Sequence, residues 1–102
     1  MNTPRVFDCH AGKEYPTDAK YVGREVRDRR TGQIIWPDTP FGNYFGLTGD
    51  AFRKYAVGRM QLPYFRARVE ALRGRDLLCW CGPNAAFCHA KVWLELANRM
   101  EP

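Results

Sequence analysis

Four cysteines and two histidines gather in two short segments, Cys9-His10 near one end of the chain and Cys79-Trp80-Cys81 with Cys88-His89 near the other. Thiols and imidazoles carry out nucleophilic and acid–base chemistry near neutral pH and ligate borderline metals. As a catalytic set, Cys88 is the candidate nucleophile, with His89 or His10 as its base. Adjacent residues at a helix start diverge by about 100°, so His89 is a poor direct partner for Cys88. His10 is the better one if its strand lies beside the strand carrying Cys79. As a metal set, Cys81, Cys88 and one of Cys9 or His10 suit zinc. The chain has no C-x-x-C, so packing of small apolar thiols is the competing reading, and Cys79 fits it best.

The arginines are the second chemical resource: Arg24, Arg27, Arg29 and Arg30, then Arg53, Arg59, Arg66, Arg68, Arg73 and Arg75. The planar guanidinium fork suits phosphate, and a solvated charged face is the alternative. Sixteen Lys and Arg against eleven Asp and Glu leave a net charge of +5. That excess is too mild and too dispersed for a histone-like or tail-like nucleic-acid binder. The Walker A, G-x-G-x-x-G, H-E-x-x-H and G-x-S-x-G motifs are absent from the sequence, which removes the well-marked nucleotide and hydrolase classes.

Positioning these residues takes a short opening strand, Arg5 to Cys9, and a polar loop from Ala11 to Lys20. A second short strand follows at Tyr21 to Arg24, and Thr31-Gly32 turns a hairpin between Val26 and Ile34. From Pro37 to Gly49 the chain interleaves prolines and glycines with Phe41, Tyr44 and Phe45, a loop that either folds over the core or lines a site. Thr48 or Asp50 caps a helix reaching Met60, with Phe52, Tyr55 and Ala56 on one face. Pro63 opens a second helix, which buries Phe65, Val69 and Leu72 and stops at Gly74. Asp76 to Cys81 reads as a strand buried on both faces, with Trp80 opposite Cys79 and Cys81 and itself in the core. Gly82-Pro83-Asn84 breaks it, and a last helix runs from about Cys88 to Met100 with Val92, Leu96 and Met100 on one stripe and Trp93 and Ala97 beside it. A buried strand flanked by helices implies a three-layer α/β domain with a partly parallel sheet.

The 102 residues suffice for one domain, 1–102, and 45% hydrophobic with 14% aromatic residues argue for a packed core rather than disorder. The longest apolar run, Leu77 to Cys81, is far short of the roughly 20 residues that span a membrane. Met1 to Val6 has no apolar segment of the secretory kind. The expected setting is therefore the cytoplasm, with reduced thiols.

Val22-Gly23-Arg24, Gly42-Asn43-Tyr44-Phe45, Tyr55, Leu72 to Pro83 with its Cys79-Trp80-Cys81, and Cys88-His89-Ala90-Lys91-Val92-Trp93-Leu94 resemble a family of bacterial and phage proteins, the domain of unknown function 4326. Its members show an I-G-R segment, a G-N-P-F loop, a tyrosine-bearing helix, C-W-C and C-H-A. The resemblance spans nearly the whole chain. Tyr44 stands where the family has proline, and Lys91 where it has aspartate, so a role for that carboxylate does not carry over. The resemblance implies a small Rossmann-like domain whose site lies between the G-N-P-F-like loop and the C-W-C to C-H segment. It implies no reaction.

In α/β sheets ligands bind at the carboxyl ends of the strands, near helix N-termini. Arg24, Asn43, Cys81 and His89 are accordingly expected around one cleft, with His10 near its rim. The Cys88-His89 helix start would receive an anion there, and Tyr44 or Phe45 would stack on a base. The leading expectation is a domain binding a nucleotide or a nucleic-acid-derived phosphate. The alternative is a small metal- or thiol-stabilised interaction module, for example a phage protein acting on a host partner. That alternative expects an exposed aromatic patch without convergent polar groups.

Overall fold

The computed structural model of the chain describes residues 3–9, 14–80 and 87–99. Its elements in chain order are β1 (Val6–Asp8), β2 (Lys20–Tyr21), β3 (Val26–Arg27), β4 (Ile34–Trp36), α1 (Gly49–Arg59), α2 (Pro63–Glu70), β5 (Leu77–Cys79) and α3 (His89–Arg99). The fold is mixed α/β. The apolar run at Leu77 to Cys79 takes the centre of a three-stranded sheet of order β1-β5-β2, and all three of its residues are buried. Both neighbours run parallel to it, with Val6 and Lys20 each opposite Leu77. Backbone bonds continue past the strand ends, from Cys9 N–H to the Cys79 carbonyl and from Val22 N–H to the Leu78 carbonyl. The last strand thus enters between the first two.

β3 and β4 form a separate antiparallel ribbon with Val26 opposite Trp36. Its turn needs a residue in the left-handed region, which Gly32 supplies at φ 75°. The Asp28 carboxylate accepts from the Arg30 and Thr31 amides and closes the same turn. The Trp36 ring stacks on Tyr21 at 4.9 Å, which fastens the ribbon to β2.

Thr48 takes the N-cap position of α1 with an extended backbone but without a side-chain capping bond. Pro63 lies in the first turn of α2, where its missing N–H is not needed. Gly74, at φ 76°, turns the chain into β5 and donates its N–H to the Asn98 side chain. α3 packs on β1 and β5, and α1 and α2 pack on α3. The most deeply buried stripe of α3 is Ala90, Trp93 and Ala97, each without exposed surface, whereas Leu96 is half-buried. The buried face therefore centres on the Trp93–Ala97 side of the expected stripe, of which Val92 is buried and Met100 lies outside the described residues. Small alanines above and below one large ring let the neighbouring helices approach. The Trp93 ring meets Phe41, Phe52 and Phe65 at 5.5 to 5.8 Å between centroids.

Trp80 departs from its expected place. β5 ends at Cys79, so alternation along the strand no longer governs the next residue, and Trp80 is half-buried at the edge of a cleft rather than in the core.

Trp93→Ala should destabilise the fold by about 3–5 kcal/mol, measured by urea unfolding. Trp93→Phe should cost less, about 1–3 kcal/mol, mainly because it leaves the buried Phe41 carbonyl without its donor. A loss below about 1 kcal/mol for Trp93→Ala would contradict this view of the core.

Candidate functional site

Two side chains one turn apart on α3 hold the backbone that shapes the cleft. His89, the first residue of the helix, is buried, and its Nε2 lies 2.9 Å from the Val22 carbonyl oxygen. A carbonyl only accepts, so Nε2 carries the hydrogen and donates. Trp93 donates its indole N–H to the Phe41 carbonyl at 2.8 Å. Val22 directly precedes Gly23-Arg24, and Phe41 directly precedes Gly42-Asn43. One helix face therefore grips both segments.

The segments are also tied to each other. Thr39 Oγ1 donates to the Gly23 carbonyl at 2.7 Å. Gly42 sits so close to Arg24 that an added Cβ would lie 2.6 Å from Arg24 Cγ and 3.2 Å from its backbone nitrogen. Tyr21 donates its hydroxyl to the Arg24 carbonyl. Asn43 uses its amide locally, Nδ2 donating to the Leu47 carbonyl at 2.6 Å and Oδ1 accepting from the Leu47 N–H at 3.0 Å. It closes its own loop and leaves the Arg24 guanidinium to others. Among the described residues no carboxylate lies within ion-pair distance of Arg24, which is exposed.

The cleft has a volume of about 840 Å³ and is lined by Arg24, Asn43 and His89 together with Tyr21, Trp80 and Phe87. The ribbon adds Arg27 and Arg29, accompanied by Glu25 and Asp28. Arg27 is partly engaged, pairing with Glu25 and donating to the Gly32 carbonyl. Tyr44 and Phe45 are not among the lining residues. Tyr44 shares its one hydroxyl hydrogen between Asp38 and the Thr39 carbonyl, while the exposed Phe45 rests its ring edge against Tyr55. Cover over the Tyr44 hydroxyl and its bond to Asp38 raise its pKa to about 12, so it stays a neutral donor. The flat aromatic surfaces of the cleft belong instead to Tyr21, Trp80 and Phe87. Alternation along the strand implies a core place for Trp80, and only the end of β5 at Cys79 puts its ring at the cleft.

The thiols lie behind this cleft. Cys9 is buried and donates to the Cys79 carbonyl at 3.0 Å. Burial, with Cys79 and Asp8 adding to it, pushes the Cys9 thiol up to about 12. Cys79 is buried as its packing role implied, and the half-buried Cys88 points its sulfur at Cys79 rather than into the cleft. The His89 Nε2 is engaged by the Val22 carbonyl, so that nitrogen does not serve Cys88 as a base. Among the described residues no group of three or more His, Cys, Asp or Glu is arranged to hold a metal ion. Of the candidate ligands, His10 and Cys81 lie outside the described residues.

Residues 7–99 match a family model described as Domain of unknown function (DUF4326). The chain belongs to this family. No curated protein and no solved structure matches it significantly. In this DUF4326 domain the I-G-R-like and G-N-P-F-like segments are the two stretches gripped from α3, and the C-H-A sequence supplies one of the gripping side chains. No helix among the described residues is long and apolar enough to cross a membrane.

The raised Cys9 pKa carries a pH dependence. The neutral thiol is favoured in the fold, so its contribution is complete below the ordinary value of 9.0 and is lost as pH rises towards about 12. Urea unfolding across that window should show stability falling with a Cys9 share of up to about 1.4 kcal/mol per pH unit. Cys9→Ala should flatten the slope by that share; an unchanged slope would show that Cys9 ionises as readily in the fold as out of it.

Proposed function

We propose that this domain binds a nucleotide, or a phosphate-bearing fragment of nucleic acid, in the cleft between the ribbon, the Asn43 loop and the start of α3. The observation that carries the reading is the presence of Arg24, Arg27 and Arg29 in one concavity with the aromatic surfaces of Tyr21 and Trp80. Guanidinium groups suit phosphate oxygens, and an indole face suits a base by stacking. In this reading Arg24 meets the phosphate, Trp80 meets the base, and His89 and Asn43 act as positioning residues, through the His89 Nε2 and the Asn43 amide bonded to backbone. The setting is cytoplasmic, and the resemblance to phage members of the family extends to this chain.

The reading as an interaction module, with a host protein as partner, draws on the exposed Ile34, Phe45 and Tyr64. These lie on the ribbon, the loop and α2, and the polar convergence around Arg24 favours a small anionic ligand.

Calorimetric titration with nucleoside mono-, di- and triphosphates tests the proposal. Saturable binding is expected, weakening as salt is raised. Arg24→Ala should lower affinity by about tenfold or more, roughly 1.4 kcal/mol, with circular dichroism and melting unchanged. Absence of saturable binding across the panel, or equal affinity in Arg24→Ala, would overturn it.

A further inference from the structure

The sulfurs of Cys79 and Cys88 lie 3.4 Å apart. Cys79 ends β5 and is 4% exposed, and Cys88 immediately precedes α3 and is half-buried. A disulfide brings two sulfurs to about 2.05 Å, so closing this pair takes a movement of roughly 1.4 Å. The half-buried cysteine lies on the outer side of the pair and the buried one behind it, which is the arrangement of an oxidisable cysteine and a resolving cysteine. Cys9 does not compete, because it is buried with its thiol donated to the Cys79 carbonyl.

We propose that Cys79 and Cys88 are a redox-reactive pair that forms a reversible disulfide on exposure to a hydroperoxide. The Cys88 thiolate attacks the terminal peroxide oxygen, the O–O bond breaks, and the departing alkoxide or hydroxide takes up a proton. Cys88 is then a sulfenic acid. The Cys79 sulfur attacks the Cys88 sulfur, the S–O bond breaks, and the oxygen leaves as water with the proton that Cys79 gives up. In sum, two thiols and one hydroperoxide yield one disulfide, one alcohol (or, from hydrogen peroxide, a water) and one water, and a dithiol reductant reverses the change. The bond pins the end of the central strand to the start of α3. Trp80 and His89, the immediate chain neighbours of these cysteines, line the cleft. Oxidation therefore sets the spacing of two cleft walls whatever the cleft binds.

The test treats the reduced full chain with a small excess of hydrogen peroxide, blocks remaining thiols, and maps the peptides. Trypsin alone leaves Cys79, Cys81 and Cys88 on one peptide, because it cuts after Arg75 and Lys91. Added chymotrypsin, cutting after Trp80 and Phe87, separates all three. The expected result is an intact mass lower by two hydrogens and a crosslink joining 76–80 to 88–91, restored by dithiothreitol. Cys81→Ser should keep the crosslink, Cys88→Ser should lose it, and Cys79→Ala should accumulate a Cys88 sulfenic acid that a cyclic 1,3-dione traps. A crosslink through Cys81 or Cys9, or a wild-type protein in which peroxide leaves Cys79 unmodified, would overturn the proposal. The wild-type map decides this even if Cys79→Ala does not fold.

Discussion

Two hydrogen bonds from one face of α3 organise the rest of the molecule. His89 and Trp93, four residues apart, project from the same side of the helix and reach carbonyls that lie far away in sequence, at Val22 and Phe41. Both carbonyls belong to residues outside the strands and helices, and both donors are buried. A buried carbonyl without a donor is costly, so each bond fixes a place for its segment as well as adding stability. The loops bearing Arg24 and Asn43 meet because the same rigid helix holds both.

Around that grip the remaining residues divide the work. Gly42 lets its segment lie against Arg24, Asn43 closes the loop on Leu47, and the Tyr21–Trp36 stack brings the arginine-bearing ribbon over the cleft. The ring cluster around Trp93 supplies the apolar burial, and β5 carries the helix grip into the sheet through packing on α3. The sulfurs fill the seam between β5 and α3. Packing and chemistry share that seam, since the burial that makes Cys9 inert also places Cys79 against Cys88.

Much of this arrangement was legible in residue pattern. The order of strands and helices, the doubly buried Leu77–Cys79 strand, the ribbon turned at Gly32 and the helix opened by Pro63 all have local signatures, and the structure has them with ends shifted by one to a few residues. The family match likewise agrees with the Cys-Trp-Cys and Cys-His-Ala pattern. What was not legible is non-local. Nothing in Lys20-Tyr21 says that it pairs on the far side of β5, and nothing in Trp80 says that the strand has just ended. Nor did Tyr44 and Phe45 reveal that they turn towards Asp38 and Tyr55 instead of the cleft. The His89–Trp93 spacing was visible as a helical repeat of two groups that donate, but only tertiary contact shows that both face buried carbonyls. Arg27 and Arg29 stood out as charge, and their place in the cleft follows from the Tyr21–Trp36 stack.

Amide hydrogen exchange by NMR tests the grip of α3 most directly. In His89→Leu combined with Trp93→Phe both donors are gone while much of the apolar volume remains. The amides of Glu25, Phe41 and Leu47, each bonded to a side chain of the gripped segments, should exchange far faster than in the parent protein. Those of Cys9 and Leu77, in the β1–β5 ladder, should fall only by the uniform amount that lower global stability brings. Equal acceleration at both sets of amides, or none at either, would contradict the view that these two bonds hold the cleft together.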